Sequence, residues 1–270
     1  MRRSQTRSGA LALATLGAAL GVGLRAPRAV AAPEFIYRQL TLPRGDVSLD
    51  LGLGFGHQPD PAGGSFDGLG MNLEIAGGVT HDLELGFRTG FRFDDDGQVT
   101  KADSYGRPFE TETYGTDHDR MANPELRMRW TVARGANVLL GLGTRAYLPI
   151  EAGSRFGLMF EMPVAFRLGT VRIDTGLYVP VIFTKPDTTT VISIPVHLWI
   201  QASSTFWLGP LFGLRIENPG GRDAYPLGFG LGSALSRAID LRAWFLFPDI
   251  SQDEGARTFG LGVALQIRFE

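Results

Sequence analysis

Hydrophobic and polar residues alternate along most of this chain with a period of two. In the last stretch, residues 257–269, small or polar residues take one parity and apolar residues take the other: Phe259, Leu261, Val263, Leu265, Ile267 and Phe269. Successive side chains of a β-strand point to opposite faces, so this stretch predicts a strand with one wholly apolar face. It is longer than a typical globular strand and long enough for a tilted crossing of a bilayer.

The same alternation predicts eleven further strands. We place them at 46–56, 67–78, 81–93, 123–133, 138–148, 155–168, 172–183, 189–201, 205–217, 224–235 and 238–248. The connections near 80, 135, 169, 203 and 236 are mostly turn-sized, and those at 57–66, 94–122, 150–154, 185–188, 218–223 and 249–255 are generally longer. An even strand number with alternating short turns and long loops is typical of single-chain bacterial membrane barrels.

The side chains assigned to the two faces support this interpretation. Outward aromatic residues gather near both ends of the strands, as in the interfacial girdles of membrane barrels. We therefore predict an all-β fold, a transmembrane antiparallel up-and-down barrel of about 12 strands that occupies residues 32–270. The alternative, a soluble β-sandwich or lipocalin-like barrel, does not explain one continuous apolar exterior around a charged interior.

The N-terminus predicts a cleaved signal peptide over residues 1–31. Arginines 2, 3 and 7 are followed by an apolar stretch from Gly9 to Leu24, and Ala29-Val30-Ala31 matches an A-x-A cleavage site. A retained anchor helix is the alternative, but the apolar stretch is short and rich in glycine. Residues 32–43 then form a lead-in, with Phe35 and Tyr37 expected at the periplasmic interface.

Composition and charge exclude several classes of protein. The 26 lysines and arginines against 28 acids give −2, and cleavage after Ala31 removes five arginines and no acid, which leaves −7. A mildly acidic chain without a basic patch does not predict nucleic-acid binding. Because there is no cysteine, disulfides, thiolate metal sites and cysteine nucleophiles are excluded. No cofactor and no metal are expected.

The inward parity of the predicted strands is densely charged, and we take its members as candidate pore-lining residues. They are Glu74, Glu84, Arg88, Arg127, Arg129, Arg145, Glu161, Arg172, Asp174, Arg215 and Arg242. Charges inside a membrane barrel need water or one another. The arginines and carboxylates therefore either set the selectivity of a pore or fill the lumen as ion pairs that hold its shape, and both interpretations stay open. Near the turn at Gly169, Arg167 and Arg172 share one face and need a carboxylate such as Asp174, or else an anion.

Glycines form the opposite wall. The glycine-rich runs of strands one, ten and twelve face the predicted lumen and leave that wall nearly free of side chains. A smooth wall opposite a charged wall predicts an open passage. With a backbone radius of roughly 12 Å, the passage would be narrow.

Two further groups of residues are candidates for a calcium site and for a catalytic site. The acidic loop at 94–122 lacks the spacing of an EF-hand, so it predicts a solvated surface loop in preference to a dedicated calcium site, and it is the only loop long enough to narrow the pore. A lipid-hydrolysing barrel enzyme needs a serine beside a histidine on the outward rim, and none of the four histidines has such a serine at matching height. We predict no enzymatic activity.

Three stretches of the sequence resemble known outer-membrane proteins. The ending on Phe269 is similar to the closing strand of bacterial outer-membrane barrels, although Glu270 follows it. The stretch from Leu40 to Gly54, which begins Leu-Thr-Leu-Pro-Arg-Gly, resembles the opening strand of the outer-membrane transporters associated with the meta-pathway of phenol degradation, and Gly78-Val-Thr-His-Asp-Leu-Glu-Leu-Gly86 resembles the turn and strand of that family. That resemblance covers roughly the first third of the mature chain. It implies a barrel that admits small molecules, apolar or aromatic ones included, and carries over no catalytic residue.

We therefore expect a passive channel or transporter for small molecules in the outer membrane of a Gram-negative bacterium. Its expected partners are outer-membrane lipid, lipopolysaccharide, the barrel-assembly machinery and a small-molecule solute, and its expected export is by the general secretory route. The alternative is a non-conducting structural or surface-interaction barrel.

Overall fold

The protein is a closed antiparallel β-barrel in which every strand pairs with its neighbours in sequence and β1 pairs with β12. The computed structural model describes residues 34–59, 64–93, 121–150, 155–183, 188–218, 223–251 and 257–270. The strands are β1 (Val47–Pro59), β2 (Ser65–Gly78), β3 (Leu83–Arg92), β4 (Met121–Arg134), β5 (Val138–Tyr147), β6 (Gly157–Leu168), β7 (Val171–Ile182), β8 (Thr189–Gln201), β9 (Phe206–Asn218), β10 (Leu227–Ala234), β11 (Ile239–Phe247) and β12 (Phe259–Phe269). The twelve predicted strands and their closure are confirmed, with ends that differ by at most three residues. The predicted signal peptide, residues 1–31, and most of the 94–122 loop lie outside the described residues.

Closure between β1 and β12 follows the alternation of both strands. Their register runs from Val47 opposite Phe269 to His57 opposite Phe259 without a bulge. Apolar side chains therefore meet apolar side chains on the outer face, and small or polar ones meet on the inner face, because the pairing keeps the parity of both strands. A slip of one residue would turn the apolar face of β12 toward the lumen.

The outer surface is apolar over the barrel wall, and the inner surface is where side chains are buried. Outward residues such as Phe160, Trp130 and Phe269 are more than half exposed, whereas inward Asp240, Arg145 and others of that parity are buried. An apolar band on the outside of a closed barrel is the surface that a bilayer requires. Within the described part of the chain, no helix is long and apolar enough to cross a membrane.

Hydroxyl side chains shape three of the short turns. Thr80 accepts hydrogen bonds from the backbone N–H groups of Asp82 and Leu83 at 3.2 and 3.0 Å. Ser203 does the same for Phe206 at 3.1 Å, and Ser236 for Ala238 at 3.2 Å. Backbone N–H groups in a turn have no partner strand to bond to. These side-chain oxygens accept from them, which stabilises the tight turns.

The chain enters the barrel wall through a turn packed against the β2–β3 connection. Asp46 donates its backbone N–H to the carbonyl of Pro43 at 3.1 Å, and Gly45 between them has φ +89°, a conformation that favours glycine. Gly45 also donates to the carbonyl of Gly78 at 2.8 Å. A Cβ on Gly78 would lie 1.9 Å from the carbonyl oxygen of Pro43, so only glycine allows this approach. The two sequence motifs that resemble the transporter family thus meet in space at this junction.

We predict that Gly78→Ala lowers the free energy of unfolding by about 1–3 kcal/mol, because the new methyl group overlaps backbone rather than a movable side chain. Gly77→Ala is the matched control. A Cβ there meets nothing closer than 3.9 Å, so a change within about 0.5 kcal/mol is expected. Urea unfolding in lipid vesicles, followed by tryptophan fluorescence, measures both. Equal losses in the two variants would contradict the tight junction.

Candidate functional site in the barrel lumen

Four glutamates and four arginines form one continuous chain of ion pairs across β2 to β6. Along the chain the order is Glu84, Arg127, Glu74, Arg88, Glu125, Arg145, Glu161 and Arg129. Neighbouring partners are separated by 2.6 to 3.7 Å, nitrogen to oxygen. The signs alternate without interruption, so the chain as a whole is neutral. We call these eight residues the charge ladder.

Strand register explains why the charge ladder forms. Glu74 on β2 lies opposite Arg88 on β3, and Arg88 lies opposite Glu125 on β4. Directly opposed side chains on one face of a sheet are close enough to pair. The most buried members include Arg145, which is 1% exposed, and Glu161, which is 3% exposed. Since an unpaired charge at such a place is very unfavourable, each of these groups depends on its neighbours.

A second set of ion pairs lies on another side of the lumen, toward the end of the barrel that carries the short β10–β11 turn. Asp240, which is fully buried, accepts hydrogen bonds from both Arg38 and Arg268, the latter at 2.6 Å. Arg242 on β11 pairs with Asp50 on β1. Arg38 belongs to neither strand, because it lies in the segment before β1. Residues 34–43 are therefore part of the lumenal network, and we call them the plug segment.

The plug segment crosses the barrel from β8 and β9 to β3 through contacts with inward side chains. It begins with a single 3₁₀ turn, Phe35–Tyr37, has extended backbone at Arg38, and bends at residues 40–41. Ile36 is 1% exposed and its N–H lies 3.4 Å from the Gln201 side-chain oxygen. At the other end, Leu42 donates its N–H to Glu84 at 2.8 Å, and the Thr41 and Thr131 hydroxyls are 3.0 Å apart.

Two arginines hold the backbone of the plug segment. Arg172 donates to the carbonyl of Arg38 at 2.6 Å, and Arg167 donates to the same carbonyl at 3.2 Å. The Arg172 side chain is oriented by Asp174, which accepts from its Nε at 2.7 Å. Arg172 thus has Asp174 as its carboxylate partner, and both arginines donate to backbone carbonyls of the plug segment, so those carbonyls compensate the second positive charge.

Burial lowers the pKa of Arg38 below its ordinary value, and the hydrogen bond to Asp240 opposes that shift. Arginine stays protonated in proteins even so. The plug segment therefore carries a permanent positive charge to the buried carboxylate of Asp240, and its docking does not depend on pH through this group.

The lead-in residues differ from the sequence-based expectation in one respect. Phe35 was expected at the periplasmic interface, but its ring stacks on Trp207 inside the barrel, with centroids 4.6 Å apart and an interplanar angle of 8°. Trp199 meets the same ring edge-on at 5.6 Å. Tyr37 is 56% exposed, as an interfacial residue would be. The expectation for Phe35 was wrong because an apolar ring finds two inward tryptophans in the lumen.

The glycine wall is not smooth where it was predicted to be. Gly232 on β10 faces Trp207, whose ring atoms would lie 2.3 Å from an added Cβ, and Gly230 faces Trp199 at 2.7 Å. The glycines of β10 therefore provide the space that indole rings from β8 and β9 occupy. Leu211, Leu246 and Trp244 continue this apolar surface along β9 and β11. We call it the aromatic wall, and at these positions it replaces the predicted open passage.

Between the charge ladder, the aromatic wall and the plug segment lies a cavity of about 810 Å³. Eight of the predicted pore-lining residues border it: Glu74, Glu84, Arg88, Arg127, Arg129, Arg172, Asp174 and Arg242. Arg145 and Glu161 lie behind them within the charge ladder, and Arg215 is farther out on β9 near an isolated bridge to Ala224. A transport role for any of these residues remains a prediction.

Sequence reasoning missed the plug segment, and although the strand alternation assigns Trp199 and Trp207 to the inward face, the predicted pore-lining residues did not include them. Phe35, Arg38, Trp199 and Trp207 all border the cavity. A signal was present in the sequence: glycines at alternate positions of β10 indicate that large inward side chains of a neighbouring strand need their space. The strand alternation carried no information about the plug segment, because that segment does not belong to the sheet.

His57 and His197 lie in different surroundings. His57 bonds to Asp67 at 2.6 Å on the outer rim, and the Ser65 hydroxyl donates to Asp67 rather than to the histidine. His197 lies in the lumen beside Trp199, with ring centroids 6.0 Å apart. Among the residues that the structure describes, no group of three or more histidine, aspartate or glutamate side chains could hold a metal ion. Most of the 94–122 loop, with its acids, is outside that set.

A closed barrel that is apolar outside and charged within defines the class of outer-membrane β-barrels. The fold is similar to that of an outer membrane channel from Pseudomonas putida F1, with a TM-score of 0.59 and 10% identity over 85% of this chain and 97% of that one. The KdgM porin matches with a TM-score of 0.54 and 10% identity over 83% and 99% of the two chains. The NanC porin matches with a TM-score of 0.54 and 7% identity over 81% and 98%. No family model and no curated protein matches the chain, so these likenesses establish the fold.

We predict that Glu161→Gln lowers the free energy of unfolding by about 3 kcal/mol or more, because it leaves Arg129 and Arg145 without their shared buried carboxylate. The control is Glu270→Gln. Glu270 pairs with Arg237 at 3.0 Å, but both side chains are about half exposed, so a loss below about 1 kcal/mol is expected. Urea unfolding in vesicles gives both values. A small loss at Glu161 would show that the charge ladder does not act as a unit.

Proposed function

We propose that this protein is a bacterial outer-membrane channel through which small molecules diffuse passively. The observation that carries the proposal is the cavity of about 810 Å³, which has charged groups on one side and indole rings on the other. Most small-molecule sites combine an apolar surface with a few polar groups. A lumen of this kind suits solutes that have both an apolar body and a polar group.

The comparisons support a channel of this kind without identifying its solute. The similar solved structures are an outer membrane channel and two porins. The two sequence motifs resemble the transporters associated with the meta-pathway of phenol degradation, and these motifs meet where the plug segment joins the barrel. We propose that the chain is related to those transporters and that apolar and aromatic molecules are among its solutes.

The remaining expectations belong to the same proposal. The chain would be exported by the general secretory route, lose residues 1–31, and be inserted by the barrel-assembly machinery. Its outer face would contact membrane lipid and lipopolysaccharide. We assign it no cofactor and no enzymatic activity.

The second candidate is a non-conducting structural or surface-interaction barrel. Two observations favour it: the charge ladder is neutral and internally paired, and the plug segment crosses the lumen with several specific contacts. A barrel filled for stability alone would show the same features.

Single-channel recording on the refolded mature protein in a planar bilayer separates the two candidates. Steady unitary conductance, together with swelling of liposomes in small solutes, is expected of a channel. Heat-modifiable migration and a β-sheet circular dichroism spectrum confirm that the sample is folded. Electrical silence and no swelling from a folded sample would reject the channel and leave the structural barrel.

Deleting residues 34–41 while keeping the turn around Gly45 is expected to raise unitary conductance several-fold, because it removes the only described segment that is not part of the wall yet crosses the lumen. Tyr37→Ala is the control, since that side chain is mostly exposed and its removal leaves the plug segment docked. Conductance that is the same in the deletion variant and in the parent would show that residues 34–41 do not limit flow.

A further inference from the structure

The ring of Phe35 occupies a slot between two tryptophans of the barrel. It stacks flat on Trp207 at 4.6 Å and meets Trp199 edge-on at 5.6 Å. The Arg172 guanidinium carbon lies 5.3 Å from the centre of the Phe35 ring, and that of Arg38 lies 5.4 Å from it. Stacked and edge-on pairs at these distances are favourable arrangements for aromatic rings, and a guanidinium over a ring adds a cation–π contact.

The aromatic sides of the slot are held by the barrel and not by the plug segment. Trp207 rests against the backbone at Gly232, and Trp199 rests against the backbone at Gly230. Trp207 is only 1% exposed. Because strand glycines fix where the two indoles lie, the slot keeps its shape when Phe35 leaves it.

The polar edge of the slot is also held by the barrel. Asp174 accepts from Nε of Arg172 and so orients that guanidinium, whose Nη1 donates to the carbonyl of Arg38 at 2.6 Å. The Nη1 group also lies within 3.4 Å of the carbonyl of Phe35, and Arg167 donates to the carbonyl of Tyr37 at 3.3 Å. If the plug segment withdraws, Arg172 keeps Asp174, but Arg172 and Arg167 lose the backbone carbonyls that now accept from them. Arg172 is buried, where a donor without an acceptor is unfavourable, and two arginines face one aspartate, so an anion is the group that replaces those carbonyls.

We propose that this slot is a binding subsite for a small planar aromatic anion, such as an aryl carboxylate, and that Phe35 is its internal competitor. The aryl ring replaces Phe35 between Trp207 and Trp199, and the carboxylate takes the bonds that Arg172 and Arg167 now give to the plug segment. The inference rests on the proposed function, since it assigns a solute class to the lumen of the channel.

The competition couples binding to the position of the plug segment. A ligand that binds only when Phe35 is out of the slot shifts the population toward the displaced state by its differential affinity. The solute would thus displace the segment that restricts its own passage. A non-aromatic anion of the same charge gains less binding free energy from contact with the two indoles. It therefore shifts the plug segment less toward the displaced state.

Calorimetry on the full mature protein in detergent tests the subsite, with benzoate as the ligand. Phe35→Ala is expected to bind benzoate about tenfold more tightly than the parent, because the slot is vacant before the ligand arrives. Cyclohexanecarboxylate, which has the same charge but no planar ring, is expected to bind Phe35→Ala at least about tenfold more weakly than benzoate. Equal affinity of the parent and Phe35→Ala, or equal affinity for the two acids, would overturn the proposal.

Two tryptophan variants in the Phe35→Ala background locate the site. Trp207→Leu is expected to abolish the preference for benzoate over cyclohexanecarboxylate, whereas Trp244→Leu, which changes another tryptophan of the same cavity, is expected to keep it. If Trp207→Leu does not fold, Gly232→Ala replaces it, because the added Cβ would lie 2.3 Å from the Trp207 ring and displace it. A preference for benzoate that survives both Trp207→Leu and Gly232→Ala would show that benzoate binds elsewhere.

The binding measurement does not require conduction, so its failure and that of the channel proposal are distinguishable. In planar bilayers, benzoate is expected to raise the conductance of the parent and to have little effect on Phe35→Ala. Selective benzoate binding by a protein that never conducts would reject the channel and keep the subsite. Conduction without selective binding would reject the subsite and keep the channel.

Discussion

The pairing of charges inside the barrel is the constraint on which the rest of the structure depends. A membrane barrel of this size encloses a lumen only roughly 12 Å in backbone radius, and arginine side chains from its walls reach well into that space. Charges in such a place persist only when they are paired or hydrated. The charge ladder meets that requirement with four arginines and four glutamates, and its ion pairs link β2 to β6 along one part of the wall.

The rest of the wall meets the same constraint in two ways: Asp240, Arg242 and Arg172 have charged partners, and the part formed by β8 to β10 is filled largely by aromatic rings. The glycines of β10 give up their side-chain volume to Trp199 and Trp207, so the lumen there is filled by rings that need little hydration. The plug segment makes suitable contacts with both the aromatic and the charged parts of the wall. It presents Phe35 to the indoles and its backbone carbonyls to Arg172, and at its far end it presents a backbone N–H to Glu84. One short segment therefore contacts the aromatic, the cationic and the anionic parts of the cavity lining.

The sequence predicts the barrel well because one physical rule governs every strand. Lipid outside and water or paired charge inside force a period of two, so strand number, strand ends and the face of each residue follow from the alternation. Glu74 and Arg88 could therefore be assigned to the lumen. Their pairing could not, because it depends on strand register, and register depends on turn geometry that the alternation does not contain. The location predicted for Phe35 was wrong for a related reason: a segment outside the sheet has no alternation of inward and outward side chains, so the sequence pattern does not say which way Phe35 points.

The junction between the plug segment and the barrel shows where local sequence does determine the arrangement. Gly45 needs a positive φ, and Gly78 needs to lack a Cβ, for the chain to leave the lumen and enter β1 at this point. Glu84 contributes to both systems, since it pairs with Arg127 in the charge ladder and accepts the N–H of Leu42. The motifs that resemble the transporter family contain these three residues. In this chain those residues attach the plug segment to the wall, and Glu84 couples the position of that segment in the lumen to the ion pairs of the charge ladder.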